Sequence, residues 1–129
     1  MQIHQSAEDY LETILMLNQR MGRVRSIDVV NELGYTKASV SIAMKKLREN
    51  GYIAVDGEGN LTLLEPGREI AERIYSRHRL LTHFFVQLGV EEDIAAEDAC
   101  KAEHILSEQT LEKIRESALR TDAAAQEDE

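Results

Sequence analysis

Apolar residues return every three or four positions through most of this chain, and the breaks in that rhythm divide it into elements. Tyr10, Leu11, Ile14, Leu15 and Leu17 predict a first helix, opened by Ser6 as N-cap with Asp9 three residues on, and ending near Met21-Gly22. Ile27, Val29, Val30 and Leu33 predict a second, with Ser26 as N-cap and Gly34 as its C-terminal glycine. Val40, Ile42, Met44 and Leu47 predict a third, capped by Thr36 and stopped by Asn50-Gly51. The period then shortens. Tyr52-Ile53-Ala54-Val55 and Leu61-Thr62-Leu63-Leu64 flank the Gly-rich segment 56–60, which predicts a β-hairpin.

After the hairpin the helical period returns. Pro66-Gly67 opens a long helix through Ile70, Ile74, Tyr75, Leu80, Leu81 and Phe84 to about Leu88-Gly89. Another helix is expected from about Glu91 to Leu106, and Ser107 caps a last one through Leu111, Ile114 and Leu119. Thr121 to Glu129 is acidic, Ala-rich and expected to fray. Two helices joined at Gly34-Tyr35 and followed by a hairpin have the order of a winged helix-turn-helix. The fold class is therefore mainly α: a winged helix-turn-helix DNA-binding domain over 1–66, an all-helical domain over 67–120, and a tail over 121–129.

Composition adds limits. A chain of 129 residues with 43% hydrophobic residues fits one compact unit or two very small ones, with a real core but not that of a large enzyme. No apolar run approaches membrane-spanning length, and Met1 to Gln5 has neither basic flank nor apolar signal core, so a cytoplasmic protein is expected. The single cysteine, Cys100, has no internal disulfide partner.

Charge changes the picture more. The net charge of −9 opposes a polyanionic partner, but Arg20 to Asn50 holds seven bases (Arg20, Arg23, Arg25, Lys37, Lys45, Lys46, Arg48) against three acids (Asp28, Glu32, Glu49). A basic segment on an acidic body is what a local DNA-binding surface looks like, although an unevenly charged solvated face looks the same. The third helix offers Thr36, Lys37, Ser39, Ser41, Lys45 and Lys46, hydroxyls and ammonium groups suited to phosphate contact on a helix that can enter a major groove. Lys45 and Lys46 diverge by ~100° and cannot both face that groove.

Cys100, Glu103 and His104 carry the other candidate chemistry. At i, i+3 and i+4 on one helix, a thiolate, a carboxylate and an imidazole share a face, as a metal site needs. Asp9 and Glu12 are likewise spaced i, i+3 on the first helix, and His78 lies in the fourth. Taken singly each has a plainer reading: Asp9 as a capping acid, Glu12 as a surface acid, His78 as part of a solvated basic patch, Cys100 as a packed hydrophobe. Their joint occurrence is what counts.

Ser6-Ala7-Glu8-Asp9-Tyr10-Leu11-Glu12-Thr13-Ile14, Arg77-His78-Arg79-Leu80-Leu81 and Ala99-Cys100-Lys101-Ala102-Glu103-His104-Ile105-Leu106-Ser107 resemble the three metal-site segments of the DtxR/MntR family of metal-dependent repressors. The resemblance covers nearly the whole chain. It implies a homodimeric repressor in which Mn(II) or Fe(II), as co-repressor, ties the DNA-binding domain to a helical metal-binding and dimerisation domain. The dimer then binds operator DNA that controls metal-homeostasis genes. It also implies a metal site of Asp9, Glu12, His78, Cys100, Glu103 and His104.

The match is a hybrid. Asp9 and Glu12, and the lack of an SH3-like third domain, are similar to the manganese branch, whereas Cys100 is similar to the iron branch. Thr82 and Ala96 stand where iron-branch members carry ligands of an ancillary site. His83 matches no family ligand and reads as a surface or interface histidine. Asp56 and Glu58 put acids where a basic wing tip would suit phosphate. Carboxylates favour Mn(II), and a thiolate shifts preference toward Fe(II), Co(II) or Zn(II), so the donor set leaves the metal open with a lean toward manganese. The rival readings are a winged-helix regulator sensing an organic ligand, and a small metallohydrolase using His78, Cys100, Glu103 and His104. The hydrolase would need an open coordination position and a substrate pocket, and the chain holds no HExxH motif and no phosphate loop.

Overall fold

The structure is a computed structural model that describes residues 5–127, with side chains described through residue 124. Its elements run α1 (Gln5–Met21), α2 (Ser26–Leu33), α3 (Lys37–Glu49), β1 (Ile53–Val55), β2 (Leu61–Leu63), α4 (Glu65–Gln87), α5 (Glu92–Ala102) and α6 (Glu108–Glu127). This is the mainly helical architecture expected, with one hairpin after three helices. Among the described residues no helix is long and apolar enough to cross a membrane. The residues fall into two compact units, Met1–Arg73 and Ile74–Glu129, with the boundary inside α4.

In the first unit Leu11, Ile14, Val24, Val29, Val40 and Ile53 are almost completely buried, and Leu15, Leu17, Met44, Leu47, Leu61 and Leu63 complete the core. On α3 the inward residues Val40, Met44 and Leu47 follow a helical stripe, which turns Lys37, Ser41 and Lys45 outward. Ile42, expected on that apolar stripe, is 58% exposed instead. Tyr10 meets Tyr35 edge to face at 5.9 Å, joining α1 to the turn between α2 and α3. The hairpin pairs Ile53 with Leu63 and Val55 with Leu61. Leu61 N–H also donates to Val24 O (2.7 Å), which fixes the hairpin to the α1–α2 connection.

Two glycines are required by position. Gly34 ends α2 at φ 72°, and its N–H donates to Val30 O. Gly67, in the first turn of α4, runs so close to the chain before β1 that a Cβ there would lie 2.2 Å from Tyr52 O.

Several boundaries differ from those expected. Ser26 is the first residue of α2 and Arg25 is its N-cap; the Asp28 carboxylate accepts from Arg25 N–H at 2.9 Å and does the capping that a serine hydroxyl was expected to do. Ser6 lies inside α1, not ahead of it. Thr36 and Ser107 do cap: Thr36 Oγ1 accepts from Ser39 N–H, and Ser107 Oγ from Thr110 N–H. Helix α6 continues to Glu127 through the stretch expected to fray, because Ala123, Ala124 and Ala125 are strong helix formers. Asp128, Glu129 and the N-terminal residues 1–4 lie outside the described residues.

In the second unit Leu81, Ala99 and Leu111 are buried, with Leu80, Phe85, Ala102, Leu106 and Ile114 packed around them. The apolar residues of the last two helices and the turn between them are divided between core and surface. Ala102, Leu106, Leu111 and Ile114 serve this core, while Ile94, Ile105 and Leu119 are exposed.

Candidate metal centre

α5 stops at Ala102, four residues before the expected end. Glu103 is its C-cap and stays helical, with its N–H on Ala99 O; beyond it Ile105 N–H and Leu106 N–H both turn back onto Ala102 O. Glu103 and His104 therefore occupy a tight turn and not a continuing helix. The helix expected to carry Cys100, Glu103 and His104 thus ends between the first of them and the other two. Cys100 is exposed on α5, whereas Glu103 is completely buried and the His104 side chain is 1% exposed.

The buried carboxylate lies between two imidazoles. Glu103 Oε2 is 3.0 Å from His78 Nδ1, and Oε1 faces His104 Nε2 at 3.4 Å without hydrogen-bond geometry. Oε1 accepts no hydrogen bond among the described residues. Full burial strips a carboxylate of its water, a cost that a cation or strong hydrogen-bond donors offset. A carboxylate and two imidazoles are the donor types that hold divalent transition ions, so the residues present fit such an ion. Cys100 Sγ belongs to no group of three or more converging Cys, His, Asp and Glu ligand atoms among the described residues.

Asp9 and Glu12 stand one turn apart on α1, Glu12 buried and Asp9 half-buried. Next to them Glu8 accepts an ion pair from Arg73 at 3.5 Å. His83, expected to be a surface or interface histidine, is half-exposed and sits 3.1 Å from Asp122, tying α4 to α6. Thr82 Oγ1 donates to His78 O within its own helix.

The six residues proposed for DNA contact are all exposed: Thr36, Lys37, Ser39, Ser41, Lys45 and Lys46. The Thr36 and Ser39 hydroxyls are hydrogen-bonded to each other at 2.9 Å as part of the cap. Arg20 pairs with Glu32 and Arg23 with Glu58, while Lys37, Lys45, Lys46 and Arg48 form no ion pair among the described residues. Ser41 and Lys45 line a cavity of about 250 Å³ together with Ser26 and Arg48. Sequence reading counted Arg48 among the bases without singling it out; its i+7 spacing from Ser41 was the available signal. Asp56 in the wing has a structural role. It accepts from the N–H groups of Glu58 and Asn60 and from Asn60 Nδ2, which holds its carboxyl below the ordinary value of 3.8.

Residues 2–61 match the family described as iron dependent repressor, N-terminal DNA binding domain, and residues 64–121 match iron dependent repressor, metal binding and dimerisation domain. An uncharacterised HTH-type transcriptional regulator of Methanocaldococcus jannaschii is 35% identical, covering 86% of this chain and 90% of its own. The HTH-type transcriptional regulator MntR of Bacillus subtilis is 33% identical, covering 84% and 77%. Among solved structures, a manganese-dependent transcriptional repressor in complex with manganese superposes with a TM-score of 0.79 at 29% identity over 87% of this chain. The chain spans about half the length of that solved repressor, 52%. The hybrid motifs, the winged helix-turn-helix and the matches over both halves agree: this chain belongs to the iron-dependent repressor family, the DtxR/MntR group of metal-dependent transcriptional regulators.

Proposed function

We infer that this protein is a metal-responsive transcriptional repressor of the cytoplasm that binds operator DNA as a homodimer when loaded with Mn(II) or Fe(II). The single observation that carries the metal half of this reading is Glu103, a completely buried carboxylate flanked by His78 and His104. The resemblance adds Asp9, Glu12 and Cys100 to the donors. An ion shared between them and His78, Glu103 and His104 would fix the angle at which two copies of α3 are presented, whose spacing must match ~34 Å, one turn of DNA or a multiple. Metal then acts by population shift, and DNA raises metal affinity by the same factor.

The family is one of transcriptional regulators, and nothing in this reading calls for catalysis. DNA is met by α3, with Lys37, Lys45 and Arg48 toward phosphates, Ser41 beside them, and Thr36 and Ser39 shaping the helix end. Carboxylate donors at the buried cluster suit Mn(II), and the Cys100 thiolate that the resemblance adds would shift preference toward Fe(II), Co(II) or Zn(II). Operator binding measured after chelation, and after readdition of Mn(II), Fe(II), Co(II) or Zn(II) in turn, tests the reading. Equal affinity with and without metal would leave a winged-helix regulator of some other ligand in its place.

A further inference from the structure

Arg77 precedes His78 on α4, and both touch the same residue. His78 meets the Glu103 carboxylate, while Arg77 Nη1 donates to the Glu103 backbone carbonyl at 3.2 Å. The other guanidinium nitrogen of Arg77, Nη2, pairs with the carboxylate of Glu108, the first residue of α6. The Arg77 side chain is 15% exposed and that of Glu108 82%.

These contacts span the turn that carries Glu103 and His104. The last carbonyls of any helix lack intrahelical donors, and Glu103 O is such a group at the end of α5. Its donor comes from α4. Glu108, in the first turn of α6, is an acid at the positive end of a helix dipole, the favoured place for one. One planar guanidinium thus holds the end of α5 and the start of α6 at a fixed separation, which an ammonium, whose rotatable donors form no rigid fork, would hold less well.

We propose that Arg77 is a positioning residue for the metal centre: its two-point grip on Glu103 O and Glu108 holds the turn in which Glu103 and His104 face His78. This rests on the reading of that cluster as a metal site. Arg77 touches no ion; it restricts the backbone on which two donors are mounted, as supporting hydrogen bonds do around metal ligands.

Co(II) titration of the full-length protein, read by its visible ligand-field absorption, tests this. Wild type should bind Co(II) stoichiometrically. Arg77→Gln should keep wild-type helix content by circular dichroism, yet bind Co(II) about 10- to 100-fold more weakly with an altered band shape. Arg77→Lys should fall between the two, and Glu108→Gln, which leaves the Glu103 carbonyl bond in place, should weaken binding least. Arg77→Gln with wild-type affinity and spectrum would overturn the proposal while leaving the metal site intact. Should Arg77→Gln not fold, Arg77→Lys decides, and affinity within twofold of wild type overturns the proposal. Absence of Co(II) binding by wild type would overturn both this proposal and the reading beneath it.

Discussion

Helix α3 and the C-terminal end of α5 are both rich in polar residues and treat them in opposite ways. Around α3, Lys37, Ser41, Lys45 and Lys46 stay exposed over the apolar stripe of Val40, Met44 and Leu47. Past α5, the chain leaves its helix and folds Glu103 and His104 inward. Exposed groups remain solvated, so they stay ready for a large polyanion at almost no expense of stability. A buried carboxylate has lost its water, and the unit around it is destabilised until a partner restores what was removed. One waits for a surface and the other for a small cation.

The sharpest way to break this contrast is Glu103→Gln. With ion at a hundred times its dissociation constant, wild type should gain about 2.7 kcal/mol of unfolding stability, and the variant none. Without ion, the variant should be no less stable than wild type, because an amide is less costly to bury than a carboxylate. Denaturant melts with Mn(II) and with chelator check both halves, and an equal gain in the two proteins would remove Glu103 from the metal site.

The outward apolar residues of the second unit come next. Ile105 is 77% exposed in one copy of the chain, so a homodimer is expected to cover it. Ile105→Glu should weaken dimerisation about tenfold, or ~1.4 kcal/mol, by sedimentation equilibrium. Unchanged association would put the interface elsewhere.

Around α3 two kinds of polar residue should separate. Thr36→Ala removes the N-cap and should lower stability by about 1 kcal/mol. Lys37→Ala and Lys45→Ala should leave stability within about 0.5 kcal/mol, while weakening DNA binding across sequences. Each should lower the slope of log affinity against log salt by ~1 where a phosphate contact is lost. Stability losses in the lysine variants would mean that this face is structural.

The smallest effect is expected at Asp56. Its carboxyl is held below 3.8 by the Asn60 side chain and backbone, so it stabilises the fold above that pH and the contribution fades as pH falls through the lowered value. Melts of Asp56→Asn and wild type should therefore differ at pH 6, and the difference should shrink as the pH falls below 3.8. A difference that persists at the lower pH would assign the effect to shape and not to charge.

Much of this was legible in the residues. Three helices and the capping roles of Thr36, Gly34 and Ser107 follow from local rules, because each depends on neighbours within four positions, and the hairpin follows from its Gly-rich turn between two β-rich runs. The proposed metal donors Asp9, Glu12, His78, Cys100, Glu103 and His104 rest on pattern and resemblance. The end of α5 was not legible. Apolar spacing continues through Leu106, and only long-range contacts, with Arg77 on Glu103 O and His78 on its carboxylate, reveal that the helix has stopped. Asp56 has a further role that its place in the wing did not reveal: its bonds fold back on its own turn.

The stop at Ala102 has an electrostatic consequence. The peptide dipoles of an 11-residue helix end there, equivalent to about half an elementary negative charge concentrated on the last carbonyls. The Arg77 guanidinium already sits in that field, and any divalent cation brought to Glu103 and His104 would feel it too. Such a field responds to charge and is blind to ionic radius and softness. It raises the affinity of every divalent ion alike, so whatever discrimination this protein makes between one metal and another has to come from the donor atoms and their spacing.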